Sequence, residues 1–253
     1  MKSGRLYLVP STLDFGCSSE TPDLQEALPL GVIRVAAELS HWVTENAKTT
    51  RAFLKRVHSV VPLARALQDL AIVELPRPQK GMARTAPADL SALLAPALAG
   101  VDMGLMSEAG LPAVADPGAG LVDAAHRVGV DVVALPGPSS LMLALAASGL
   151  NGQSFAFVGY LPVEASERAA RIREVEAMSR RHSQTQLMIE TPYRNAALWD
   201  ALLTHLQGST RLSVSCGLTL IGGYSRTDTV ARWKSRGLSL PGDVPTVFLL
   251  LAA

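Results

Sequence analysis

The stretch 104-GLMSEAGLPAVADPGAGLVDAA-125 decides the fold of this chain. An apolar run ends at Ser107, a loop rich in Gly, Pro and Ala follows, and a helical pattern begins at 116–118. A strand, a loop and a helix in this order form the repeating unit of an open α/β sheet, in which ligands bind beyond the carboxyl ends of the strands. The loop offers backbone amides and carbonyls beside small side chains and holds no obvious acid–base pair. We therefore expect this loop to hold a ligand.

The rest of the first half repeats this alternation. Apolar runs predict strands at 5–9, 31–38, 71–75, 102–107 and 130–135, and helices are predicted near 44–57, 87–99 and 117–128. Strands that alternate with helices favour a mostly parallel sheet covered on both faces. The first half is therefore predicted to be an α/β domain.

The second half has a different pattern. Strands are predicted near 154–160, 185–190, 211–216 and 244–251, with helices near 164–181 and 192–206. Short strand-like pieces with glycines after residue 211 indicate hairpins, so we expect a mixed sheet. In 135-LPGPSS-140, Pro-Gly-Pro interrupts two apolar segments and marks a hinge. The sequence thus predicts an N-terminal α/β domain over 1–136 and a C-terminal α/β domain over 137–253.

Composition limits the cellular setting of the chain. A net charge of +1 over 253 residues gives no bulk electrostatic attraction for nucleic acid and leaves a local basic patch as an open alternative. Cys17 and Cys216 lie far apart and form no CxxC pattern, which favours a cytoplasmic protein without disulfides. The N-terminus has no apolar signal region. The longest apolar run, 141–150, has half of the ~20 residues that a membrane span needs, so we expect a buried helix there and no membrane insertion.

Three common kinds of site find little support. Gly118-Ala119-Gly120 is followed by Asp123 and breaks the GxGxxG pattern of dinucleotide binding. No GxSxG elbow is present, and Ser139 and Ser140 at a helix start are better suited to capping or to ligand hydrogen bonds than to nucleophilic attack. The five histidines have no metal-ligand spacing, so no metal site is expected.

Acidic residues follow several predicted strands, which would bring them to one edge of the sheet. Glu38, Glu108, Asp116 and Glu190 occupy such positions, and His41 follows the strand predicted at 31–38. A carboxylate there can bind a hydroxyl or a cationic group or act as a base. It can also cap a helix, which we favour for Asp116; for Glu190 both alternatives stay open.

The helix predicted at 164–181 is rich in arginine. Its apolar residues recur every third position from Ala169 to Met178 and form one buried stripe, which leaves the arginines outside. Glutamates dilute their charge, so we expect a solvated, ion-paired face and no phosphate site.

Five motifs together carry a resemblance to a known family. They are 5-RLYLVPSTLDFG-16, 107-SEAGLPAVADPG-118, 135-LPGPSS-140, 154-SFAFVGYLP-162 and 189-IETPYR-194. In this order they cover nearly the whole chain and resemble the tetrapyrrole methylases, in particular a branch that methylates ribose 2′-hydroxyls of 16S ribosomal RNA.

The resemblance implies a two-domain fold, a mostly parallel N-terminal sheet with a mixed C-terminal sheet, a homodimer, and S-adenosylmethionine as methyl donor in the cleft between the domains. Carried over by motif, the cofactor-binding residues are Ser107, Glu108, Ala109, Gly110, Leu111, Val114, Ser139, Ser140, Ile189, Glu190, Thr191, Pro245 and Thr246. Methyl transfer from a sulfonium demands alignment more than acid–base chemistry, which suits a loop of small residues.

The acceptor side departs from the pattern of the RNA-methylating branch. The segments after the first and second predicted strands read 10-PSTLD-14 and 38-ELSH-41, and the segment near 216 reads 216-CGLT-219, where that branch has other polar residues. Glu38, His41, Tyr193 and Arg194 stand as candidate catalytic replacements. The acceptor therefore stays open between ribosomal RNA and a tetrapyrrole or other small molecule, and a non-catalytic protein that binds the cofactor is the third alternative.

Overall fold

The computed structural model describes residues 3–14, 23–76 and 89–253. The chain divides into two compact units, Met1–Pro138 and Ser139–Ala253. Within the described residues, no helix is long and apolar enough to cross a membrane. Cys17, the last two residues of the 5–16 motif and the first two of the helix predicted at 87–99 lie outside these ranges.

The described part of the first unit contains a parallel sheet. Its strands are β1 (Arg5–Leu8), β2 (His41–Thr44), β3 (Ala71–Glu74), β4 (Met103–Met106) and β5 (Asp131–Ala134), in the order β3-β2-β4-β1-β5. All four neighbouring pairs are parallel. Because Leu8 pairs with Leu105 and Thr44 with Met106, the carboxyl ends of the central strands share one edge.

Helices cover both faces of this sheet. They are α1 (Leu24–Ala27), α2 (Leu30–Glu38), α3 (Ala47–Val60), α4 (Ala95–Leu98) and α5 (Ala119–Val128). On one face, Ile33 of α2 and Leu54 of α3 join a buried cluster with Trp42. On the other face, Leu121 of α5 packs in a second cluster with Leu105. The predicted parallel α/β architecture is therefore confirmed.

The strand predicted over 31–38 is wrong, because this segment is the helix α2. Its buried residues Val32, Ile33, Ala36 and Ala37 recur at helical spacing, and Pro29 stands at its N-cap. The composition of the segment, which is rich in β-branched residues, favours a strand, but the spacing of its apolar residues favours a helix. The strand of this region is the shorter 41-HWVT-44.

The second unit is built on a mixed sheet. Its strands are β6 (Phe155–Phe157), β7 (Thr185–Glu190), β8 (Arg211–Cys216), β9 (Tyr224–Thr229) and β10 (Thr246–Leu251), in the order β6-β7-β10-β8-β9. Strands β6 and β7 are parallel, and the other pairs are antiparallel. The predicted hairpin after residue 211 is β8–β9, so the mixed sheet is confirmed.

Helices α6 (Ser140–Ser148), α7 (Ala165–His182), α8 (Asn195–His205) and α9 (Val230–Arg236) complete this unit. The rings of Trp199 and Trp233 meet edge to face with centroids 5.2 Å apart, and the indole N–H of Trp233 donates to the carbonyl of Leu212. In α7 the predicted stripe is buried from Ala169 to Val175, whereas Met178 is half-buried.

Candidate functional site

The order of the strands makes a topological switch point at the carboxyl ends of β1 and β4. These neighbours lead to opposite sides: the chain leaves β1 toward β2 through α2, and it leaves β4 toward β5 through α5. Right-handed crossovers put these two helices on opposite faces of the sheet, so the chain continues from the two loops toward opposite faces. In open α/β sheets such a switch point is where ligands bind. The loop 107–118 follows β4 directly and therefore lies there.

Backbone contacts hold the two loops of this switch point together. The amide of Ser11 donates to the carbonyl of Gly110 over 2.9 Å, which forms an isolated bridge beyond the ends of the strands. A Cβ on Gly110 would stand 3.3 Å from Leu13 and 3.6 Å from the carbonyl of Pro138. Segments 9–14, 107–118 and 135–138 thus form one packed rim in the first unit.

Loop 107–118 has an unusual backbone. Ala113 and Ala115 both have a φ of 65°, and Gly110 has a φ of 68°. For alanine the left-handed conformation costs roughly 1–2 kcal/mol, because Cβ approaches the following carbonyl. Strained residues of this kind are typical of ligand-binding loops. Two alanines in this conformation, separated by one residue, therefore favour a ligand-binding role for the loop.

Ser107 carries a buried hydroxyl that has no hydrogen-bond partner within the described part of the chain. The residue is 2% exposed and is the first after β4. Buried polar atoms are nearly always paired, and leaving one unpaired costs about 1–3 kcal/mol. An oxygen or nitrogen of a ligand beside this loop would satisfy it.

Carboxylates gather at the same edge. An oxygen of Glu108 accepts from the side-chain amide of Asn46 at 2.8 Å, and Glu45 accepts the backbone N–H of Glu108 at 3.1 Å. Burial, followed by the charges of Glu45 and Glu108, raises the pKa of the Asp116 carboxyl to about 7. A carboxyl with this pKa ionises readily when a cation approaches. The edge is therefore suited to a positively charged ligand.

Asp116 does not cap a helix as predicted. Helix α5 begins at Ala119, and its N-cap is Gly118, which makes no side-chain capping bond. Gly118 has a φ of 131°, so the chain turns into the helix at the glycine and leaves Asp116 in the loop. The alternative role of this carboxylate, which is to face a cationic group, thus gains support.

Glu38 and His41 are not where the sequence places them. Both were expected at the carboxyl end of a strand over 31–38, but Glu38 ends α2 and His41 begins β2. They lie at the amino edge of the sheet, about 10 Å from its carboxyl edge at 3.3 Å per residue. The residues that do follow β2 are Glu45 and Asn46, which the misplaced strand concealed.

In the second unit, the predicted residues of β7 and β10 lie side by side. Glu190 pairs with Thr246 and Ile189 with Val247, and on its other side Thr246 pairs with Cys216. Glu190 and Thr246 are both buried. The carbonyl of Pro245 accepts the amide of Gly217 at 2.9 Å. The structure thus brings Ile189, Glu190, Pro245 and Thr246 together at one end of this sheet.

Glu190 organises the turn that follows β7. Its Oε1 accepts the backbone N–H of Thr191 at 2.7 Å and Nε of Arg194 at 3.0 Å. The hydrogen bond from Arg194 to Glu190 raises the pKa of the guanidinium. Tyr193 is 75% exposed, and Arg194 stacks over its ring. The sequence leaves Glu190 open between a role toward a ligand and a role as a helix cap. In the structure its carboxylate accepts from Arg194 and from the amide of Thr191, so it fixes the turn after β7.

Ser139 and Ser140 open α6. Ser139 is the N-cap residue and is buried, and its hydroxyl makes no capping hydrogen bond to the helix. Ser140 is the first helical residue. Among the described residues, no group of three or more His, Cys, Asp or Glu side chains has the geometry to hold a metal ion.

The chain has relatives among known proteins. No family model matches the chain. It is 31% identical over 192 residues to ribosomal RNA small subunit methyltransferase I of Streptococcus pyogenes serotype M6, which covers 76% of the chain and 57% of that relative. The protein of the same name from Vibrio cholerae is 37% identical over 122 residues, 48% of the chain and 41% of the relative. The chain thus spans about half the length of the curated relatives that it matches.

Solved structures show the same fold. Uroporphyrin-III-C-methyltransferase from Thermus thermophilus superposes with a TM-score of 0.51 at 22% identity and covers 99% of the chain and 93% of its own. The methyltransferase CobJ has a TM-score of 0.57 at 16% identity, with 99% and 95% covered. The chain therefore has the two-domain fold of the tetrapyrrole methylases and is a relative of the ribosomal RNA small subunit methyltransferase I proteins.

Proposed function

We propose that this chain is an S-adenosylmethionine-dependent methyltransferase whose donor loop is 107–118 and whose acceptor is ribosomal RNA. The unpartnered hydroxyl of Ser107 at the switch point carries the proposal, because it marks a polar position that a ligand completes. The relatives that share 31–37% of their residues over the matched segments are named as ribosomal RNA methyltransferases, which favours RNA over a tetrapyrrole as acceptor.

The residues of the loop fit a cationic donor. When bound, S-adenosylmethionine supplies a methyl group already activated on a sulfonium. The carboxyls of Asp116, Glu45 and Glu108 would face that positive charge, and Asp116 changes to its ionised form near pH 7. Ser107 would donate to or accept from a polar atom of the ligand, while Ala109, Gly110, Leu111 and Val114 allow close approach of the backbone.

The contribution of the protein is then mainly orientation. Holding the acceptor hydroxyl in line with the methyl group can supply about 7–11 kcal/mol at most, because the loss of translational and rotational freedom precedes the chemical step. In the second unit we propose that Ser139, Ser140, Ile189, Thr191, Pro245 and Thr246 contact the cofactor. Tyr193 and Arg194 stay candidates for the acceptor side, since Glu190 holds Arg194 as a fixed cation beside an exposed phenol.

Two measurements test the proposal. Isothermal titration calorimetry with S-adenosylmethionine should detect micromolar binding, and an absence of heat at high micromolar ligand would reject the donor. Mass spectrometry of 16S RNA from cells with and without the gene should reveal one missing 2′-O-methyl group. Unchanged RNA together with cofactor binding would transfer the proposal to a small-molecule acceptor. We also propose a cytoplasmic homodimer, which light scattering and cell fractionation would check.

A further inference from the structure

Helix α3 carries a row of basic side chains that the proposed donor loop does not use. Lys48, Arg51, Lys55 and His58 are all exposed. Their spacing of three, four and three residues puts them on one side of the helix, and they extend over about 15 Å at 1.5 Å per residue. We call these four residues the α3 stripe.

The opposite side of α3 is fully used by the core. Thr50, Phe53, Leu54 and Val57 are buried against the sheet and α2. No apolar face is therefore left for insertion into a lipid bilayer, which a membrane-surface helix requires. The α3 stripe presents charge alone.

Acidic residues are absent from the segment of sequence that carries the stripe. From residue 47 to residue 68 the sequence holds five Lys and Arg and no Asp or Glu, in a chain whose net charge is only +1. Within the described residues, Lys48, Arg51 and Lys55 form no ion pair with a carboxylate, whereas Arg127 and Arg171 are paired along their own helices. The elements packed on α3 do carry acidic groups, namely Glu26 of α1, Glu38 of α2, Glu74 of β3 and Asp69 before β3. Asp14 pairs with Arg56 of α3, which is not part of the stripe, at 2.9 Å.

The stripe connects the donor loop to a cavity. At its first end, the N-cap Asn46 donates from its side chain to Glu108 of the loop. At its other end lies a cavity of about 450 Å³ lined by Lys55, His58, Leu63, Arg65, Ala66 and Leu67. That volume falls within the range of small-ligand sites. The cavity thus combines an aliphatic surface with cationic side chains.

The ring of His58 is held in a defined orientation within this cavity. Its Nδ1 accepts the backbone N–H of Leu63 at 3.2 Å, so in the neutral ring the proton is on Nε2. Nε2–H remains as a donor beside the side chains of Lys55 and Arg65. None of the described residues that line the cavity is a carboxylate.

We propose that the α3 stripe and this cavity bind the sugar–phosphate backbone and one base of a single-stranded segment of RNA. Proteins hold single strands with a positively charged groove that follows the backbone and with ring side chains on which bases stack, and His58 supplies such a ring at this cavity. Phosphate contacts of this kind position a substrate without reading its sequence. The inference rests on the proposed function in that the track begins at the donor loop, where the acceptor ribose must lie.

The test compares two double variants that each remove two positive charges from an exposed helix face. Arg51→Ala with Lys55→Ala changes the stripe, and Arg173→Ala with Arg181→Ala changes α7 as the matched control. The probe is a fluorescein-labelled 12-nucleotide single-stranded RNA, titrated by fluorescence anisotropy at several salt concentrations. Melting curves verify that both variants are folded.

For single strands, log K falls with log salt by about 0.7 for each phosphate contact. The stripe variant should therefore lose about 1.4 from this slope and bind about 25-fold more weakly at 0.1 M salt, while the control keeps the wild-type slope. Equal losses in both variants, or no loss in the stripe variant, would overturn the proposal. Sedimentation with phosphatidylglycerol vesicles in place of RNA binding would also overturn it.

Calorimetry with S-adenosylmethionine on the same proteins separates this inference from the proposed function. The stripe variant should bind the cofactor as the wild type does, because neither side chain belongs to the donor loop. If the wild type binds no cofactor and the stripe variant still binds RNA more weakly, the proposed methyl donor is rejected and the RNA-binding role of the stripe is kept. If the wild type binds the cofactor and the stripe variant binds RNA as tightly as the wild type, the methyl donor is kept and the RNA-binding role of the stripe is rejected.

Discussion

The substitution Ser107→Ala separates a ligand-binding hydroxyl from a structural one. In a structural role the hydroxyl would have a partner within the protein, and its loss would destabilise the fold. Within the described residues, however, the Ser107 hydroxyl is buried without a partner. We therefore expect the variant to be more stable than the wild type without ligand and to bind S-adenosylmethionine more weakly.

The magnitudes follow from the cost of an unpaired hydroxyl. Burying such a group costs about 1–3 kcal/mol, so its removal should stabilise the protein by about 1 kcal/mol when part of that cost is relieved. A gain of 1 kcal/mol raises Tm by about 2–4 °C for a chain of this size. A neutral hydrogen bond to the ligand contributes about 0.5–1.5 kcal/mol, which corresponds to a Kd about 2- to 12-fold higher in the variant.

Ser213 provides the matched control. Its hydroxyl is also buried and unpartnered in the described structure, but it lies in the middle of β8 in the second unit. Ser213→Ala should raise Tm similarly and leave cofactor affinity unchanged. Differential scanning calorimetry without ligand and isothermal titration calorimetry with S-adenosylmethionine supply both readouts. If Ser107→Ala melts earlier and binds the cofactor with unchanged Kd, the hydroxyl has an internal partner and the placement of the site is wrong.

Three further predictions concern other residues. Burial raises the pKa of Asp116 to about 7 in the folded state, against about 3.9 in the unfolded state, so the native state binds more protons between these pH values and the stability that the group confers is lost as pH rises from 4 to 7. Melting temperatures measured over this pH range should fall less for Asp116→Asn than for the wild type. An equal fall in both proteins would contradict the raised pKa. Gly110→Val should lower both Tm and cofactor affinity, because a β-branched residue at a φ of 68° beside Leu13 forces the loop to move; an unchanged Tm would refute this reason. Glu176→Ala should lower the free energy of unfolding, measured in urea, by about 2–3 kcal/mol, because the buried carboxylate accepts the backbone N–H of Gln207 and the hydroxyl of Thr210. A loss below about 1 kcal/mol would argue against that role.

The sequence predicted the position of the donor loop but not the groups that give it its charge. The run ending at Ser107 is bounded by a loop and a helix, so β4 and its carboxyl end were identifiable. The strand β2 has four residues, 41-HWVT-44, and stands next to a helix rich in Val and Ile that has the stronger strand composition. Because the strand is predicted at the segment that forms α2, Glu38 and His41 are assigned to the carboxyl edge of the sheet, although they lie at its amino edge. For the same reason Glu45 and Asn46, which do follow β2, are not identified from the sequence.

The remaining features of the site depend on tertiary contacts. The pKa of Asp116 depends first on burial and then on the charges of Glu45, 71 positions away, and of Glu108 in the same loop, so no local pattern contains it. The missing partner of Ser107 is a property of its surroundings, since a serine after a strand has many ways to be satisfied. The pairing of Glu190 with Thr246 required knowing that β10 inserts between β7 and β8.

The first unit separates opposite charges, and this separation has a consequence for how two ligands would respond to salt. Carboxyls gather at the loop after β4, whereas the exposed side of α3 is basic from Lys48 to His58. A half-buried carboxyl such as Asp116 attracts a cation at short range, where salt screens weakly. An exposed row of cations binds a polyanion by releasing counterions, so its affinity falls steeply with salt. Raising salt from 0.05 M to 0.2 M should therefore leave S-adenosylmethionine binding almost unchanged while it weakens RNA binding many-fold. Parallel weakening of both ligands would mean that one electrostatic surface serves the two, and the division between donor loop and α3 stripe would fail.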